Sequence, residues 1–413
     1  MPKETIITGL DVGSCFIRVV VAKIRADQNK PQIIGIGQAP SFGLRRGIVV
    51  DVEEAVKNIS QAVQEAERNS GISIERAMVS ISGNHITPRI SKGVVAVSRA
   101  DSEVSKEDVD RAIEAASAIS IAPNNEILHV IPRSYLVDDQ NGIKDPVGMN
   151  GVRLELDALI IEGSKPFVKN LYNCISEAGL EIEGLVLAPL ASSYAVLNKR
   201  QKELGVLVLD LGGGTAGLTV FEEGYIVHSC VLPVGSSHIT NDIAIGLRSD
   251  IDLAEKVKLE YGSASLAEIN KKDVIDLAKL GSMEGGIIHR AQVVEIMEAR
   301  LIEILELTNK ELKKIDRQGL LPAGVILLGG GSKVPGLVDL AKKELRLPVQ
   351  VGFPLELEGI IDEIEDPSFS TAIGLVLWSI DNQVGLNKQG NPWSGGVRQP
   401  IDKVRHWFRG FLP

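Results

Sequence analysis

The sequence predicts an α/β protein built from two related lobes. Segments typical of strands and of helices alternate along its 413 residues, and this length exceeds what one compact core usually accommodates. A turn of the form Asp-apolar-Gly occurs at Asp11 and again about 200 residues later at Asp210, as expected of a duplicated unit. Between them, residues 82–162 are interrupted by Gly and Pro and are rich in strand-like segments, which indicates an inserted subdomain.

The predicted elements of the first lobe begin close to the start of the chain. Residues 6–10 and 18–24 have the composition of strands and flank the first turn. Apolar residues then recur at helical spacing over residues 52–70, and a short strand is predicted at residues 77–82.

The insert and the second lobe continue the alternation. The predicted elements, in chain order, are a helix at 106–118, a strand at 126–137, a helix at 167–178, a strand-turn-strand unit at 205–221, helices at 251–260 and 301–314, a strand at 325–328 and a helix at 337–345. Residues 382–400 are rich in Asn, Gln, Gly, Ser and Pro and are predicted to be a flexible linker.

The composition excludes several classes of function. Apolar residues make up 44% of the chain and charged residues 24%, which is ordinary for a globular protein. A net charge of −10 argues against a nucleic-acid partner. The three cysteines, Cys15, Cys174 and Cys230, are far apart and odd in number, which favours a reducing cytosol over a disulfide framework. The sequence has no apolar run of the roughly 18 residues that span a bilayer.

Three glycine turns carry the predicted chemistry. A tight turn of Gly and small residues lets backbone N–H groups approach phosphate oxygens, and an Asp at the strand end can hold Mg²⁺ through water. The third turn, between a buried strand and a helix, suits the close approach of a flat nucleoside. The turns consist of Asp11, Gly13 and Ser14; of Asp210, Gly212, Gly213, Gly214 and Thr215; and of Gly330, Gly331 and Ser332. None has the spacing of a Walker loop or of a Rossmann fingerprint.

Together the three turns resemble those of the actin, heat-shock-70 and sugar-kinase superfamily, in which two lobes clamp ATP and Mg²⁺ in a cleft. Residues 81–86 (ISGNHI), 130–149 (VIPRSY to PVGM) and 234–240 (VGSSHIT) narrow the resemblance to the bacterial cell-division actin homologue FtsA. The similarity covers essentially the whole chain. It implies an actin-like ATPase fold of two duplicated ribonuclease-H-like lobes around a nucleotide cleft, with an inserted FtsA-type subdomain.

The resemblance also implies domain boundaries and partners. The expected parts are subdomain 1A at 1–81, 163–194 and 366–381; inserted subdomain 1C at 82–162; subdomain 2A at 195–241 and 303–365; subdomain 2B at 242–302; the linker at 382–400; and a terminal helix at 401–413. In this family, subdomain 1C helps subunits polymerise and contacts later division proteins. Subdomain 2B docks the C-terminal peptide of the tubulin-like division protein FtsZ.

Carried over residue by residue, the resemblance assigns roles to further side chains. Arg18, the basic residue after the first turn, would reach a phosphate. Glu255 and Lys258, three apart on one helical face, would touch the ribose and adenine. The third turn would pack on the adenine. The implied cofactors are ATP and Mg²⁺, with the metal held by Asp11 and Asp210 through water.

Two positions argue against efficient ATP hydrolysis, which needs a group to orient the attacking water. Where the heat-shock branch has a Glu before the Pro of a helix start, this chain has Ala188 before Pro189. Where that branch has an acid after the second turn, this chain has Gly217. We therefore expect weak or negligible turnover, with ATP closing the cleft and favouring the polymer. Ser236 also departs from the Gly expected at its position.

Residues 401–413 form an amphipathic helix when they are drawn at 100° per residue, with the apolar side chains within an arc of about 140°. The apolar members are Ile401, Val404, Trp407, Phe408, Phe411 and Leu412, and the basic ones are Lys403, Arg405, His406 and Arg409. This pattern is typical of a helix that lies in the interface of an anionic membrane, as FtsA proteins have at this end. The alternative is a terminal helix docked on the body of the protein.

The sequence therefore predicts an ATP-binding, self-assembling protein that anchors FtsZ filaments to the cytoplasmic face of the cell membrane at the division septum and recruits later division proteins. Two alternatives stay open. One is a pilus-assembly actin homologue resembling PilM, a family that lacks the tail. The other is a sugar- or acetate-type kinase of the same superfamily, which would need an Asp in the cleft as the base.

Overall fold

The computed structural model describes residues 4–25, 30–270, 272–281, 285–355, 357–359 and 364–387. The strands are β1 (Glu4–Val12), β2 (Phe16–Arg25), β3 (Gln32–Pro40), β4 (Leu44–Arg45), β5 (Ile48–Val49), β6 (Arg76–Ile81), β7 (Thr87–Ala96), β8 (Asn125–Val137), β9 (Gln140–Ile143), β10 (Arg153–Ser164), β11 (Glu181–Leu187), β12 (Val206–Leu211), β13 (Ala216–Glu222), β14 (Tyr225–Leu232), β15 (Val274–Asp276), β16 (Ile287–His289), β17 (Val325–Leu328), β18 (Val349–Val351) and β19 (Glu358–Gly359). The helices are α1 (Val52–Ser70), α2 (Lys106–Ser117), α3 (Lys165–Glu177), α4 (Ala188–Val196), α5 (Lys199–Leu204), α6 (Ser236–Leu247), α7 (Ile251–Tyr261), α8 (Arg290–Lys314), α9 (Leu337–Leu345) and α10 (Ser370–Asn387).

Two of the sheets share one strand order, which identifies the duplicated unit. The first sheet runs β11-β6-β1-β2-β3 with the short β19 at its edge, and the second runs β18-β17-β12-β13-β14. In each, an antiparallel meander (β1–β3 or β12–β14) is extended by two strands that pair in parallel. The predicted α/β fold with two duplicated lobes is therefore confirmed.

A third sheet, β7-β10-β8-β9, forms between β6 and α3 of the first lobe. It has its own apolar core, in which Ala112 and Ala116 of α2 meet Leu154 and Leu156 of β10. Helix α2 begins with a capping box at Ser105, whose hydroxyl accepts a hydrogen bond from the Asp108 N–H. The segment between β6 and α3 thus folds as a separate layer on the first lobe.

Helices α4 and α10 contact each other and lie between the two main sheets. Their backbones approach closely, because a Cβ added at Gly374 would lie 1.8 Å from the carbonyl oxygen of Ala191. Strand β12 contributes to two cores, as its period of two requires. Val206 and Val208 join the apolar cluster of the first lobe, whereas Leu209 joins that of the second. The two lobes are consequently joined by continuous packing at the base of the cleft.

The structure departs from the predicted elements at two helix ends. Helix α8 begins at Arg290 rather than at residue 301, because the buried face formed by Val293 and Met297 extends it backward. Helix α10 continues to Asn387, so the first six residues of the predicted linker are helical. Residues 382–387 contain no proline that would stop the preceding helix. Residues 388–413, which include the predicted membrane helix, lie outside the described part of the chain.

Within the described residues, no helix combines the length and apolar character needed to span a bilayer.

Candidate functional site

The first glycine turn joins β1 to β2, and a neighbouring strand holds its carboxylate. Asp11 lies opposite Arg18 in the β1–β2 hairpin. Ser80 Oγ of β6 donates to Asp11 Oδ1 at 2.8 Å and accepts a hydrogen bond from Val12 N at 3.0 Å. One buried hydroxyl thereby fixes both the side chain and the backbone at the end of β1.

Small residues are needed within this turn. A Cβ added at Gly13 would lie 2.5 Å from the carbonyl oxygen of Phe16, so the hairpin closes only around glycine. The next residue, Ser14, accepts a hydrogen bond from Gly47 N at 2.8 Å. Gly47 belongs to the turn between β4 and β5, and this short hairpin therefore rests on the first glycine turn.

The second glycine turn joins β12 to β13 and is held mainly through its backbone. The carbonyl oxygens of Gly212 and Gly213 accept hydrogen bonds from Ser236 N and Ser237 N, each at 2.9 Å. Those two N–H groups open α6, so the turn occupies the start of that helix. Ser236 Oγ, at the position where glycine was expected from the sequence, also donates to the Gly212 oxygen at 3.2 Å.

The two turns meet across the cleft. A Cβ added at Gly213 would lie 2.2 Å from Cys15 Sγ, and one added at Gly214 would lie 2.6 Å from Ser14 Oγ. Thr215 Oγ1 lies 3.3 Å from Ser82 Oγ. Only turns made of small residues allow the two lobes to approach this closely, and the predicted phosphate-binding residues are brought together from both lobes.

The carboxylates of the two turns share a partly buried environment. Burial, and then the charge of Asp11, raise the pKa of Asp210 to about 6, although Thr371 Oγ1 donates to Asp210 Oδ2 at 3.2 Å. Burial also raises the pKa of Asp11. Two ionised carboxylates in one cleft repel each other, and a bound divalent cation would neutralise the charge of both. Carboxylate oxygens are also the ligands that a hard cation prefers. The residues present therefore fit a Mg²⁺ ion.

Arg18 provides positive charge beside these acids. Its Nε donates to Gln38 Oε1 at 2.9 Å, and its guanidinium lies 5.1 Å from the ring centre of Phe16 and 5.3 Å from that of Phe369. Burial lowers the pKa of Arg18, while Asp11 and other acids of the cleft oppose that shift. Because arginine stays charged in proteins, the side chain offers a fixed cation at the floor of the cleft.

The third glycine turn packs against the strand that carries Asp210. Gly329 has φ of +75°, and a Cβ there would lie 2.4 Å from Asp210 Oδ1. Ser332 is buried and its hydroxyl donates to the Gly329 oxygen at 2.7 Å. Gly331 abuts the end of β12, whereas a Cβ added at Gly330 would meet nothing within 4 Å. Gly330 thus presents an open backbone face, as contact with a flat ring requires.

The predicted pair Glu255 and Lys258 forms on α7 and is anchored to α6. Lys258 Nζ lies 2.6 Å from Glu255 Oε2 and 2.9 Å from Thr240 Oγ1, and the Thr240 hydroxyl donates to the same carboxylate at 2.5 Å. The Lys258 side chain is 10% exposed and that of Glu255 is 42% exposed. Helix α6, which begins at the second turn, therefore connects this pair to the phosphate-binding residues.

A cavity of about 670 Å³ opens beside the third turn. The residues that line it include Ser332, Lys333, Val334, Phe353 and Asp366. Of these, Lys333 and Asp366 form an ion pair. The volume and the mixture of apolar and charged walls are typical of small-ligand sites.

Ala188 and Gly217, the two residues expected to leave the site without a water-orienting group, lie near each other in the structure. Gly217 lies opposite Asp210 in the β12–β13 hairpin. A Cβ added at Gly217 would lie 2.9 Å from the Cβ of Pro189, the residue after Ala188 in α4. An acidic side chain at position 217 would thus have to displace the first turn of α4.

Sequence reasoning missed several residues that hold the carboxylates. Ser80 had a signal, since it is a polar residue in the otherwise apolar end of β6. Thr371 had none, because it is brought to Asp210 from 161 positions away. Gln38 and Phe369, which orient Arg18, were likewise invisible to motif spacing.

A second polar cluster lies away from the cleft, between β14 and α8. His228, Cys230 and Glu311 place atoms that could bind metal within 4.8 Å of one another. The Glu311 carboxylate already forms hydrogen bonds with His228 Nε2 at 3.1 Å and Lys314 Nζ at 2.6 Å. These bonds account for the cluster as a buried ionic network that ties β14 to α8.

Comparisons with known proteins agree with this architecture. Residues 207–374 match the family described as cell division protein FtsA, and residues 83–162 match the SHS2 domain inserted in FTSA. The cell division protein FtsA of Pseudomonas aeruginosa is 34% identical over 409 residues, which cover 98% of this chain and 97% of that protein.

Solved structures show the fold. A PilM-PilN type IV pilus biogenesis complex gives a TM-score of 0.66 at 19% identity, covering 91% of this chain and 98% of the other. MreB5 of Spiroplasma citri bound to ADP gives a TM-score of 0.53 at 14% identity, covering 93% of this chain and 99% of the other. The predicted actin-like fold and the resemblance drawn from the sequence are both confirmed. The chain belongs to the FtsA family of cell-division proteins.

Proposed function

We propose that the protein binds ATP and Mg²⁺ between its two lobes and uses the nucleotide to favour a self-assembled state. The observation that carries this proposal is the meeting of two carboxylate-bearing glycine turns, one from each lobe, at Ser14 and Gly214. MreB5 of Spiroplasma citri, which shares the fold, was solved bound to ADP, and this supports a nucleotide as the ligand. Bound Mg²⁺ would supply the positive charge that two partly buried acids and a polyphosphate require.

Different residues of the cleft would bind the phosphates, the metal and the nucleoside. The backbone N–H groups of the first two turns, Gly13–Ser14 and 212–215, would bind phosphate oxygens, and Arg18 would add a fixed cation. Asp11 and Asp210 would hold the metal through water. The third turn and the Glu255–Lys258 pair would bind the nucleoside, with Gly330 presenting its open face to the base.

Hydrolysis is expected to be weak. Neither Ala188 nor Gly217 offers a carboxylate that could orient water, and Pro189 fills the space that a side chain at 217 would need. The nucleotide then acts chiefly as a ligand that holds the lobes together, and it stabilises the closed form by mass action.

The remaining parts of the chain would serve the division machinery. Subdomain 2B, residues 242–302, exposes large apolar side chains that fit the docking of the FtsZ C-terminal peptide: Ile245, Ile251, Leu259, Val274 and Ile287. Subdomain 1C, residues 82–162, would contribute to self-assembly and to contacts with later division proteins. The cell-division identity of the family supports this reading over the pilus and kinase alternatives.

Residues 401–413 would hold the protein on the cytoplasmic face of the cell membrane at the division septum. One short helix binds lipid weakly, whereas a filament that displays many copies gains by avidity. The net charge of −10 would keep the body of the protein off an anionic surface, so that attachment depends on the basic, aromatic tail.

Co-sedimentation with anionic liposomes tests the membrane role. We compare the full chain, residues 1–400, and a full-length variant carrying Trp407→Glu and Phe408→Glu, each with and without ATP·Mg²⁺. We expect only the unmodified full chain to pellet, and more of it with nucleotide. Equal pelleting of all three proteins would contradict the tether, and pelleting that ignores nucleotide would contradict the link to assembly.

A further inference from the structure

The short hairpin of β4 and β5 covers the place where the two phosphate turns meet. Its turn consists of Arg46 and Gly47, both in the left-handed region with φ of +50° and +75°. Arginine rarely adopts this conformation, which costs about 1 kcal/mol. The surrounding contacts must therefore hold it in place.

Three contacts fix the turn of this hairpin to both lobes. Gly47 N donates to Ser14 Oγ of the first glycine turn at 2.8 Å. A Cβ added at Gly47 would lie 2.7 Å from the carbonyl carbon of Ser82. A Cβ added at Gly214 of the second turn would lie 3.0 Å from the Cα of Arg46. Arg46 is thus the residue of the hairpin that abuts the opposite lobe.

The guanidinium of Arg46 is available to a ligand. The side chain is exposed, and among the described residues no ion pair engages it. Its charge acts on the start of α6: burial lowers the pKa of His238, and Arg46 lowers it further. Because a Cβ added at Gly214 would lie 3.0 Å from the Arg46 Cα, an anion bound at the second glycine turn lies within the length of an arginine side chain.

We propose that Arg46 contacts the terminal phosphate of a bound nucleoside triphosphate and so makes closure of the cleft depend on that phosphate. This inference rests on the proposed nucleotide site and adds a reason why that site would prefer a nucleoside triphosphate to a diphosphate. A planar guanidinium can form two charge-assisted hydrogen bonds with one phosphate group. A nucleoside diphosphate ends one phosphate short, so it would lose those bonds while keeping the contacts of the glycine turns.

Binding measurements on the full chain test the proposal. We measure the affinities for ATP·Mg²⁺ and ADP·Mg²⁺ by calorimetry for the wild type, Arg46→Gln, Arg46→Lys and Arg45→Gln. Arg45 is the matched control, because it is an exposed arginine of the same hairpin. Glutamine keeps a long side chain at the left-handed position, and a thermal melt without nucleotide checks that each variant is folded.

Arg46→Gln should weaken ATP binding about tenfold or more, the size of a lost charge-assisted hydrogen bond, and should change ADP binding less than about twofold. The ATP affinity of Arg46→Lys should lie between those of the wild type and Arg46→Gln, and the ATP affinity of Arg45→Gln should match that of the wild type. Unchanged ATP affinity in Arg46→Gln, or an equal loss in Arg45→Gln, overturns the inference. A wild type that binds neither nucleotide overturns the proposed function itself, which is a distinct result.

Discussion

The two carboxylate-bearing turns occupy equivalent places in duplicated sheets, yet they are held by different means. In the first lobe, the Ser80 hydroxyl fixes Asp11 and the adjacent backbone from a neighbouring strand of the same sheet. In the second lobe, the carbonyl groups of Gly212 and Gly213 are fixed by the first N–H groups of α6. The first turn is thus part of its sheet, whereas the second is part of a helix junction.

Because of this difference, the two turns are connected to different parts of the chain. Helix α6 extends from the second turn to Thr240, which contacts Glu255 and Lys258 in the proposed nucleoside-binding region. Helix α6 thus contacts both the proposed nucleoside-binding region and the second turn. The insert of the first lobe follows β6, and its sheet packs on two sides: one face forms a core with α2, and Leu128, Ile131 and Leu159 on the other face join the core of the first lobe.

The sharpest test of the comparison exchanges one glycine in each turn for alanine. Gly13→Ala places a methyl group 2.5 Å from the backbone oxygen of Phe16 within its own hairpin. We expect it to lower the free energy of unfolding by about 3 kcal/mol, measured by urea denaturation.

Gly213→Ala places its methyl group 2.2 Å from Cys15 Sγ, which belongs to the other lobe. We expect a loss in unfolding free energy below about 1 kcal/mol, but ATP·Mg²⁺ binding weakened about tenfold, because closure rather than folding is obstructed. Cys15→Ala in the same chain should restore part of the affinity. Equal destabilisation by both alanines would show that the turns are not held differently.

Removing the hydroxyl that anchors the first turn should have the next largest effect. Ser80→Ala leaves Asp11 without its donor and Val12 N without its acceptor, at an expected cost of about 2 kcal/mol in unfolding free energy. Ser73→Ala, at an exposed serine near the start of the same strand, should cost less than about 0.5 kcal/mol. Equal costs would mean that Ser80 does not support the turn.

The ionic network between β14 and α8 makes the stability of the second lobe sensitive to acid. The hydrogen bond from His228, helped by Lys314, holds the pKa of Glu311 at about 2, below its usual value, although burial acts in the opposite direction. The stabilisation is therefore complete above about pH 4.5 and is lost as pH falls through the folded-state pKa.

Glu311→Gln should cost about 1.5 kcal/mol at neutral pH, and the difference from the wild type should shrink toward pH 2. Glu306→Gln, at an exposed position of the same helix, is the control. Urea titrations between pH 2 and pH 7 measure the effect. A cost that stays constant across that range would assign it to packing rather than to charge.

The smallest effect is expected at Ser236, where the sequence analysis expected glycine. Ser236→Gly removes one hydrogen bond, from Oγ to the Gly212 oxygen, but keeps the backbone bond from the same residue. We expect a change of about 0.5 kcal/mol in unfolding free energy and an ATP affinity within about twofold of the wild type. A larger loss of affinity would mean that the second turn depends on this side chain.

Patterns within short stretches of the sequence predicted those elements whose formation depends on residues close together in the chain. The helical spacing of apolar residues located α1 and α9, and the repeated Asp-apolar-Gly pattern identified two equivalent turns. The partner of Asp210 was not predictable, because Thr371 reaches it through tertiary packing from 161 positions away, and Ser80 gave only the weak signal of a polar residue in an apolar strand end. The same applies to the Arg46 turn, which has no motif of its own.

Helix α10 begins in the cleft and leads away from it. Phe369, just before it, lies under Arg18, and Thr371, in its first turn, donates to Asp210. Its 18 residues form a rod about 27 Å long that is pressed against α4 at Gly374. From Asn387 the chain leads into the segment proposed to bind the membrane. A single helix thus connects the hydroxyl that donates to Asp210 with the segment proposed to bind the membrane.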